Sequence, residues 1–187
     1  MKTTGLAIVM AMGWSSAISG GTPGRAHDSK TPLTVCFGTG ENVPLETRAE
    51  LVASGVFAKI GVRVHWRGFD KCPEKTIRIE ITKGTPVAEH PGALAYALPY
   101  EGTRIVVMLD RVKVVGPDAL PYVLGHVIAH EVTHILQGVV RHSDMGVMKE
   151  FWNTSDYKQM AWEPLKFARE DIALINRGLE LRASSSL

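Results

Sequence analysis

Residues 117–138 read PDALPYVLGHVIAHEVTHILQG and form the longest segment of the chain with a clear structural pattern. It is apolar on most sides and contains no proline after Pro121, which predicts a buried helix over residues 117–137. Gly138 follows at the position where a glycine commonly ends a helix. The other elements are therefore expected to pack around this helix.

The predicted helix contains His130-Glu131-Val132-Thr133-His134, which matches the pattern HExxH. Side chains four residues apart lie above one another on one helical face, so both imidazoles can reach a single metal ion. Glu131 lies about 100° further round the helix than His130, where it can flank the metal without ligating it. Its carboxylate is then placed to take a proton from an attacking water.

The alternative interpretation of HExxH is two core histidines beside a surface glutamate. Burial of two imidazoles and a carboxylate without partners would cost on the order of several kcal/mol, which favours the metal site. The pattern therefore predicts Zn2+ as the cofactor, with His130 and His134 as ligands and Glu131 as the general base.

A catalytic zinc site needs a third protein ligand and an open fourth position. We expect His142 to be this ligand, because residues 139–141 give the chain room to turn back beneath the metal once the helix has ended. The alternatives are later acidic residues, namely Glu150, Glu163 and Glu170. They have less support, because Glu163 precedes a proline and the other two lie in no recognisable pattern.

Hydrophobic periodicity predicts the remaining elements. Short apolar or alternating runs predict five strands, over residues 33–37, 62–66, 76–82, 93–98 and 104–109, of which the last two are close enough to form a hairpin. Apolar residues at three- and four-residue steps predict amphipathic helices over residues 44–60 and 168–181, with a shorter helix between them that Thr154 or Ser155 could cap. This order predicts an α+β domain with a cleft where its halves meet.

The first 30 residues are expected to lie outside this domain. Lys2 precedes an apolar segment and then small residues, which is typical of a signal peptide over residues 1–19, although an apolar N-terminal helix is the alternative. Residues 20–30 are rich in Gly, Pro, Thr and Ser and predict a linker. We therefore expect a domain over residues 31–187 that is secreted or periplasmic.

Cysteine content and charge are consistent with an exported globular protein. Cys36 and Cys72 suit one disulfide, which is favoured over two free thiols in an oxidising compartment. The chain has 187 residues, 45% of them hydrophobic, and a formal net charge of +2 without a dense run of Lys or Arg, so we do not expect nucleic acid as a partner. No apolar stretch approaches the roughly 20 residues that span a bilayer, so we expect no stable membrane insertion after signal removal. We expect a monomer.

Residues 130–148, HEVTHILQGVVRHSDMGVM, resemble the metzincin signature of HExxH, a glycine turn, a third histidine and then a methionine. The matrixin branch is most similar, because its third histidine is also followed by serine and then by a nearby small-x-Met. In this chain the histidine is His142, the serine is Ser143, and small-x-Met is the Gly-Val-Met of residues 146–148. Residues 92–99, GALAYALP, are similar to the matrixin edge strand. Gly138 and His142 lie further along than in metzincins, so the turn is expected to be wider.

The resemblance implies a metzincin-like fold, with a twisted mixed β-sheet over a central active-site helix (residues 31–138) and a small, mainly helical lower part (residues 139–187). It implies Zn2+ on the three histidines, Met148 in a hydrophobic turn under the metal, and backbone hydrogen bonds from Leu94 and Ala95 to an extended peptide. The implied function is a secreted zinc-dependent endopeptidase, acting on a peptide or protein substrate. Two alternatives stay open: an exported zinc-binding protein with little or no turnover, and a zinc hydrolase acting on a non-protein amide such as one in the cell wall.

Three further residues near the motif are expected to support the fold. His126 lies one turn before His130, on the metal-facing side of the helix. We expect it to pack in the core or to contact one of the metal-binding side chains, rather than to bind the metal itself. Trp152 and Tyr157 could line the cleft or donate to a tetrahedral intermediate, but core packing is the simpler expectation for both.

Overall fold

The computed structural model describes residues 32–38, 41–83 and 92–184, so the predicted signal peptide and the whole of the predicted linker lie outside the described residues. Its strands form one mixed five-stranded sheet in the order β2-β1-β3-β5-β4, in which only β4 is antiparallel to its neighbour. The strands are β1 (Leu33–Cys36), β2 (Val64–Arg67), β3 (Ile77–Thr82), β4 (Ala95–Leu98) and β5 (Arg104–Met108). The predicted mixed sheet and its β4–β5 hairpin are confirmed.

Four helices match predicted ones with small shifts at their ends, whereas the short helix that begins at Leu109 is not predicted, and Leu109 itself is expected in the last strand. The helices are α1 (Val43–Ala58), α2 (Leu109–Val112), α3 (Leu120–Gln137), α4 (Thr154–Trp162) and α5 (Arg169–Ser184). The central helix α3 begins three residues later than predicted, because Pro121 lacks an amide hydrogen and therefore belongs in a first turn. Within the described ranges, no helix is both long and apolar enough to cross a membrane.

The cap predicted for α4 is wrong by one residue. Asn153, not Thr154 or Ser155, caps the helix, and its side chain accepts hydrogen bonds from the Ser155 and Asp156 amides. The Asp156 carboxylate in turn accepts the amide of Asn153 at 2.8 Å, which completes a reciprocal capping box.

The core lies between the sheet and the two helices α1 and α3, which pack against each other. On β3, Ile77 and Ile79 are fully buried, whereas Arg78 and Glu80 between them are exposed. Because successive side chains on a strand point to opposite faces, this pattern places the helices on one face of the sheet. The α3 helix thus lies against one face of the sheet, and its HExxH residues lie near β4, which is an edge strand among the described residues.

One covalent bond fastens the sheet to the segment that follows β2. Cys36, the last residue of β1, forms a disulfide with Cys72, which follows a 3-10 turn at Phe69–Lys71. The Cα atoms of the two residues are 5.7 Å apart. The predicted bridge is confirmed.

Helix α5 approaches the backbone of α3 closely at Gly178. A Cβ atom built there would lie 1.8 Å from the carbonyl oxygen of Leu136, and this neighbour is backbone that cannot rotate away. We therefore expect Gly178→Ala to lower the free energy of unfolding by about 3 kcal/mol or more, measured by urea denaturation.

The matched control for this substitution is Gly55→Ala in α1, where the nearest neighbour of an added Cβ is Pro164 Cγ at 3.9 Å. Alanine favours helix over glycine by roughly 1 kcal/mol, so this variant should be as stable as the parent or slightly more stable. Equal stability of the two variants would contradict the close approach of α5 and α3.

Candidate metal centre

The two histidines of the HExxH pattern lie on the buried face of α3. His130 and His134 are both buried, as expected for residues one turn apart on a central helix. Gly138 ends the helix in the left-handed region at φ 68°, and its amide donates to the carbonyl of His134. The predicted helix end is therefore confirmed, and the chain turns there toward His142.

The structure brings His130, His134 and His142 together. One ligand nitrogen from each lies within 4.8 Å of the other two. The ring of His142 has its centroid 5.3 Å from that of His130 and 5.1 Å from that of His134. The loop after α3 thus returns to the helix, although it is longer than the one in the metzincin pattern.

Backbone carbonyls determine which nitrogen of each helical histidine faces the centre. His130 Nδ1 lies 2.8 Å from the carbonyl oxygen of Val147, and His134 Nδ1 lies 3.2 Å from that of Val139. A carbonyl oxygen can only accept, so both Nδ1 atoms carry a hydrogen and both neutral rings present a lone pair at Nε2. Carbonyl partners of this kind commonly orient metal-binding histidines.

The two Nε2 atoms lie 3.0 Å apart. Two lone pairs at this distance repel each other unless a cation lies between them. Nitrogen atoms bound tetrahedrally to zinc at about 2.0–2.1 Å are separated by roughly 3.3–3.4 Å, which is close to the observed spacing. The donor set of three imidazoles therefore fits a zinc ion.

The protonation of the buried histidines suits metal binding. Burial, supported by the neighbouring histidines, lowers the pKa of His130 to about 3 and that of His134 to about 4. Both rings are consequently neutral near pH 7, which is the form that ligates a metal.

Glu131 is buried between α3 and β4. Burial raises the pKa of its carboxyl group to about 8, and a hydrogen bond with the backbone amide of Ala97 partly opposes this rise. Because Ala97 belongs to β4, this contact fixes the carboxyl group against the sheet edge. Glu131 also lines the same cleft as the three histidines.

The cleft in front of the histidines has a volume of about 480 Å³, and β4 with the residues just before it forms one wall. The Leu94 carbonyl accepts the amide of Met108 on β5, so its main chain faces the sheet. Backbone groups alternate in an antiparallel pair, which directs those of Ala95 and Ala97 away from β5. Ala97 is engaged with Glu131, so Ala95 offers the outward-facing backbone, while Leu94 lines the cleft.

Met148 lies in a 3-10 turn, Gly146–Met148, and its side chain is fully buried. The turn contacts the centre through its backbone, because the Val147 carbonyl holds His130. The Met148 carbonyl accepts the amide of Ser143, the residue after His142, at 2.7 Å. The turn thus links one helical histidine with the loop that carries the third.

His126 is fully buried and is held by backbone at both ring nitrogens. Its Nδ1 lies 2.8 Å from the Tyr122 carbonyl, and its Nε2 accepts the amide of Leu165 at 3.0 Å. Burial lowers the pKa of this ring to about 4. His126 therefore joins α3 to the segment before α5, which agrees with the packing role expected for it.

Trp152 and Tyr157 pack against the core and also line the cleft. The Trp152 indole donates to the carbonyl of Gly146 at 3.2 Å, and its ring meets that of His130 edge-on at 5.6 Å between centroids. Burial raises the pKa of the Tyr157 hydroxyl. These two aromatic side chains therefore form part of the lining of the cleft.

None of the acidic residues considered as the third ligand lies in the group of histidines that could hold a metal. Glu163 pairs with Lys59 at 2.7 Å, and Glu170 pairs with Arg141 at 2.5 Å. Glu150 is exposed and lines the cleft. Among the described residues, the group suited to hold a metal is that of the three histidines.

The sequence gives no sign of one residue near the centre, Asp171. It stands in the first turn of α5 in the run Arg169-Glu170-Asp171, which looks like an ordinary solvated helix start. In the structure its side chain is fully buried and contacts residues on both sides of His142.

No protein-family model matches the sequence, and no curated protein matches it. Among solved structures, the chain is similar to archaemetzincin from Methanopyrus kandleri, with a TM-score of 0.50 and 17% sequence identity. The match covers 80% of this chain and 96% of that chain. The chain therefore has a metzincin-like fold, as the signature implied, whereas the narrower likeness to matrixins gains no support.

Proposed function

We propose that this protein is an exported zinc-dependent peptidase. The observation that carries the proposal is the pair of neutral imidazoles whose Nε2 lone pairs face each other at 3.0 Å, with His142 beside them. When bound there, a zinc ion supplies Lewis acidity that polarises a carbonyl group and lowers the pKa of water. The metzincin-like fold and the buried carboxyl group of Glu131 add to this support.

Glu131 is proposed as the general base. Its position beside the ligands, with its carboxyl group held by the Ala97 amide, allows it to accept a proton from the attacking water and pass it to the leaving amine. A bound cation next to this carboxyl group favours its ionised form, and thus opposes the effect of burial on its pKa.

The proposed substrate is a peptide segment bound in an extended conformation along β4. In support, β4 is an edge of the sheet among the described residues, and it forms one wall of the cleft. The backbone of Ala95 faces outward there and can pair with any peptide strand through main-chain groups.

Export is proposed on two grounds. The sequence over residues 1–19 has the pattern of a signal peptide, and the Cys36–Cys72 disulfide suits an oxidising compartment such as the periplasm or the extracellular space.

The test combines zinc binding with hydrolysis in the same purified protein. We expect one zinc ion per chain, cleavage of casein and of a mixed peptide library, loss of cleavage after metal removal with 1,10-phenanthroline, and recovery when zinc is added. One bound zinc ion without cleavage of any peptide would favour the zinc-binding protein. Cleavage of a cell-wall amide alone would favour the non-protein hydrolase.

A further inference from the structure

Asp171 has a fully buried carboxylate that accepts hydrogen bonds from Arg141 and Ser143, the two neighbours of His142 in the sequence. We infer that Asp171 is a positioning residue that holds His142 in place for the metal, and this inference rests on the zinc site of the proposed function. The residue lies on α5, far from the HExxH helix in sequence, and does not line the cleft.

The Asp171 side chain is fully buried and accepts hydrogen bonds from several directions. Arg141 Nη1 donates to Oδ1 at 2.6 Å, and Ser143 Oγ lies 2.9 Å from both carboxylate oxygens. The Ala168 amide donates to Oδ2 at 3.1 Å, and Gln137 Nε2 lies 3.4 Å from Oδ1. A buried charge is tolerated when it is paired and hydrogen-bonded in this way.

The two closest donors are the residues on either side of His142. Arg141 and Ser143 belong to an irregular loop, and the His142 side chain is exposed, so the packing of its own ring cannot hold it firmly. Anchoring of both neighbours to one buried group restricts the backbone of the residue between them. A ligand ordered before the metal arrives loses less conformational freedom on binding.

The charge of Asp171 matters as well as its shape. Arg141 is only partly exposed, and its second nitrogen, Nη2, pairs with Glu170 on the surface. An uncharged Asn at position 171 would leave the Arg141 guanidinium with a weaker buried partner. It would also place an NH2 group where the carboxylate now accepts donors. The loop would then keep the bond from the Ser143 amide to the Met148 carbonyl and the exposed pair of Arg141 with Glu170.

The test measures zinc affinity by competition with a chelator in four proteins: the parent, Asp171→Asn, His142→Ala and the double variant. We expect Asp171→Asn to weaken zinc binding by about 10- to 100-fold, the usual effect of removing a group that supports a ligand. In the His142→Ala background the same substitution should cause no further loss, because the ligand that it positions is absent.

A control and a milder variant separate positioning from general damage. Arg182 ties the other end of α5 to the carbonyls of Gly102 and Lys75 at 2.8 and 3.0 Å. Arg182→Met should therefore loosen the helix while leaving zinc affinity unchanged. If Asp171→Asn does not fold, Ser143→Ala tests the same link, with an expected loss of a few-fold in the parent and none beside His142→Ala.

Three results would overturn the inference: parental zinc affinity in both Asp171→Asn and Ser143→Ala, an undiminished loss in the His142→Ala background, or an equal loss in Arg182→Met. Because the readout is zinc affinity, a protein that binds zinc and cleaves no peptide would refute the proposed peptidase without refuting this role. If His142→Ala itself leaves zinc affinity unchanged, the metal centre and this inference fail together.

Discussion

Glu131→Gln is expected to lower the rate of peptide hydrolysis by about 10²- to 10⁴-fold, the usual contribution of a general base. Glutamine keeps the size of the side chain and can still accept the Ala97 amide, but it cannot take up a proton near neutral pH. The three histidines are unchanged, so zinc should remain bound at one ion per chain. The measurement is kcat/KM on a cleaved peptide, with zinc content determined on the same sample.

The matched control is Glu163→Gln. This carboxylate is exposed and pairs with Lys59, and it does not line the cleft. Replacement of Glu163 should leave kcat/KM within about twofold of the parent value. An exposed ion pair contributes little to stability, so the folded protein and its cleft should be unchanged. If Glu131→Gln cleaves peptide as fast as this control, Glu131 is not the base.

His142→Ala is expected to weaken zinc binding by about 100-fold or more. Removal of a group that only orients a ligand already costs roughly 10- to 100-fold in affinity, and this change removes a ligand itself. The two helical histidines remain, so binding should be weakened rather than abolished. Isothermal titration or competition with a chelator measures the change.

His65→Ala serves as its control, since His65 lies exposed on β2 and forms no part of the three-histidine group. Zinc affinity should be unchanged in this variant. Equal affinities in His142→Ala and His65→Ala would mean that the third ligand is another residue. The exposed Glu150 at the cleft would then be the next candidate.

Most of the fold follows from local patterns. The run of apolar residues in α3 predicts a buried helix, and Gly138 ends it in the left-handed conformation as expected. The alternation in Ile77–Thr82 predicts a strand with one buried face, which β3 has. One error is at an element end, at Asn153, where a cap depends on which of several adjacent polar side chains meets the amides. Another is the short helix α2, which is not predicted from the sequence.

In the candidate site too, some features follow from local sequence and others depend on the packing of distant segments. Spacing alone places His130 and His134 on one face of a helix, because the helical repeat is a local property of the chain. The sequence also predicts the disulfide and the approach of His142 to the helical histidines, but each depends on where distant segments pack. Leu94 is an example, because the resemblance implies that its backbone binds a peptide. Only the strand pairing reveals that its carbonyl already accepts the Met108 amide.

From its residues alone, the chain specifies its helices, its strands and the HExxH ligand pair, since these depend on neighbours a few positions apart. The groups that hold the centre depend on packing: the Val147 carbonyl on His130 spans 17 residues, and the Asp171 carboxylate on Arg141 spans 30. Neither partner carries a local pattern, because a backbone carbonyl is present at every position and an aspartate in a first helical turn is ordinary. Their roles arise only when the folded chain buries them beside the histidines.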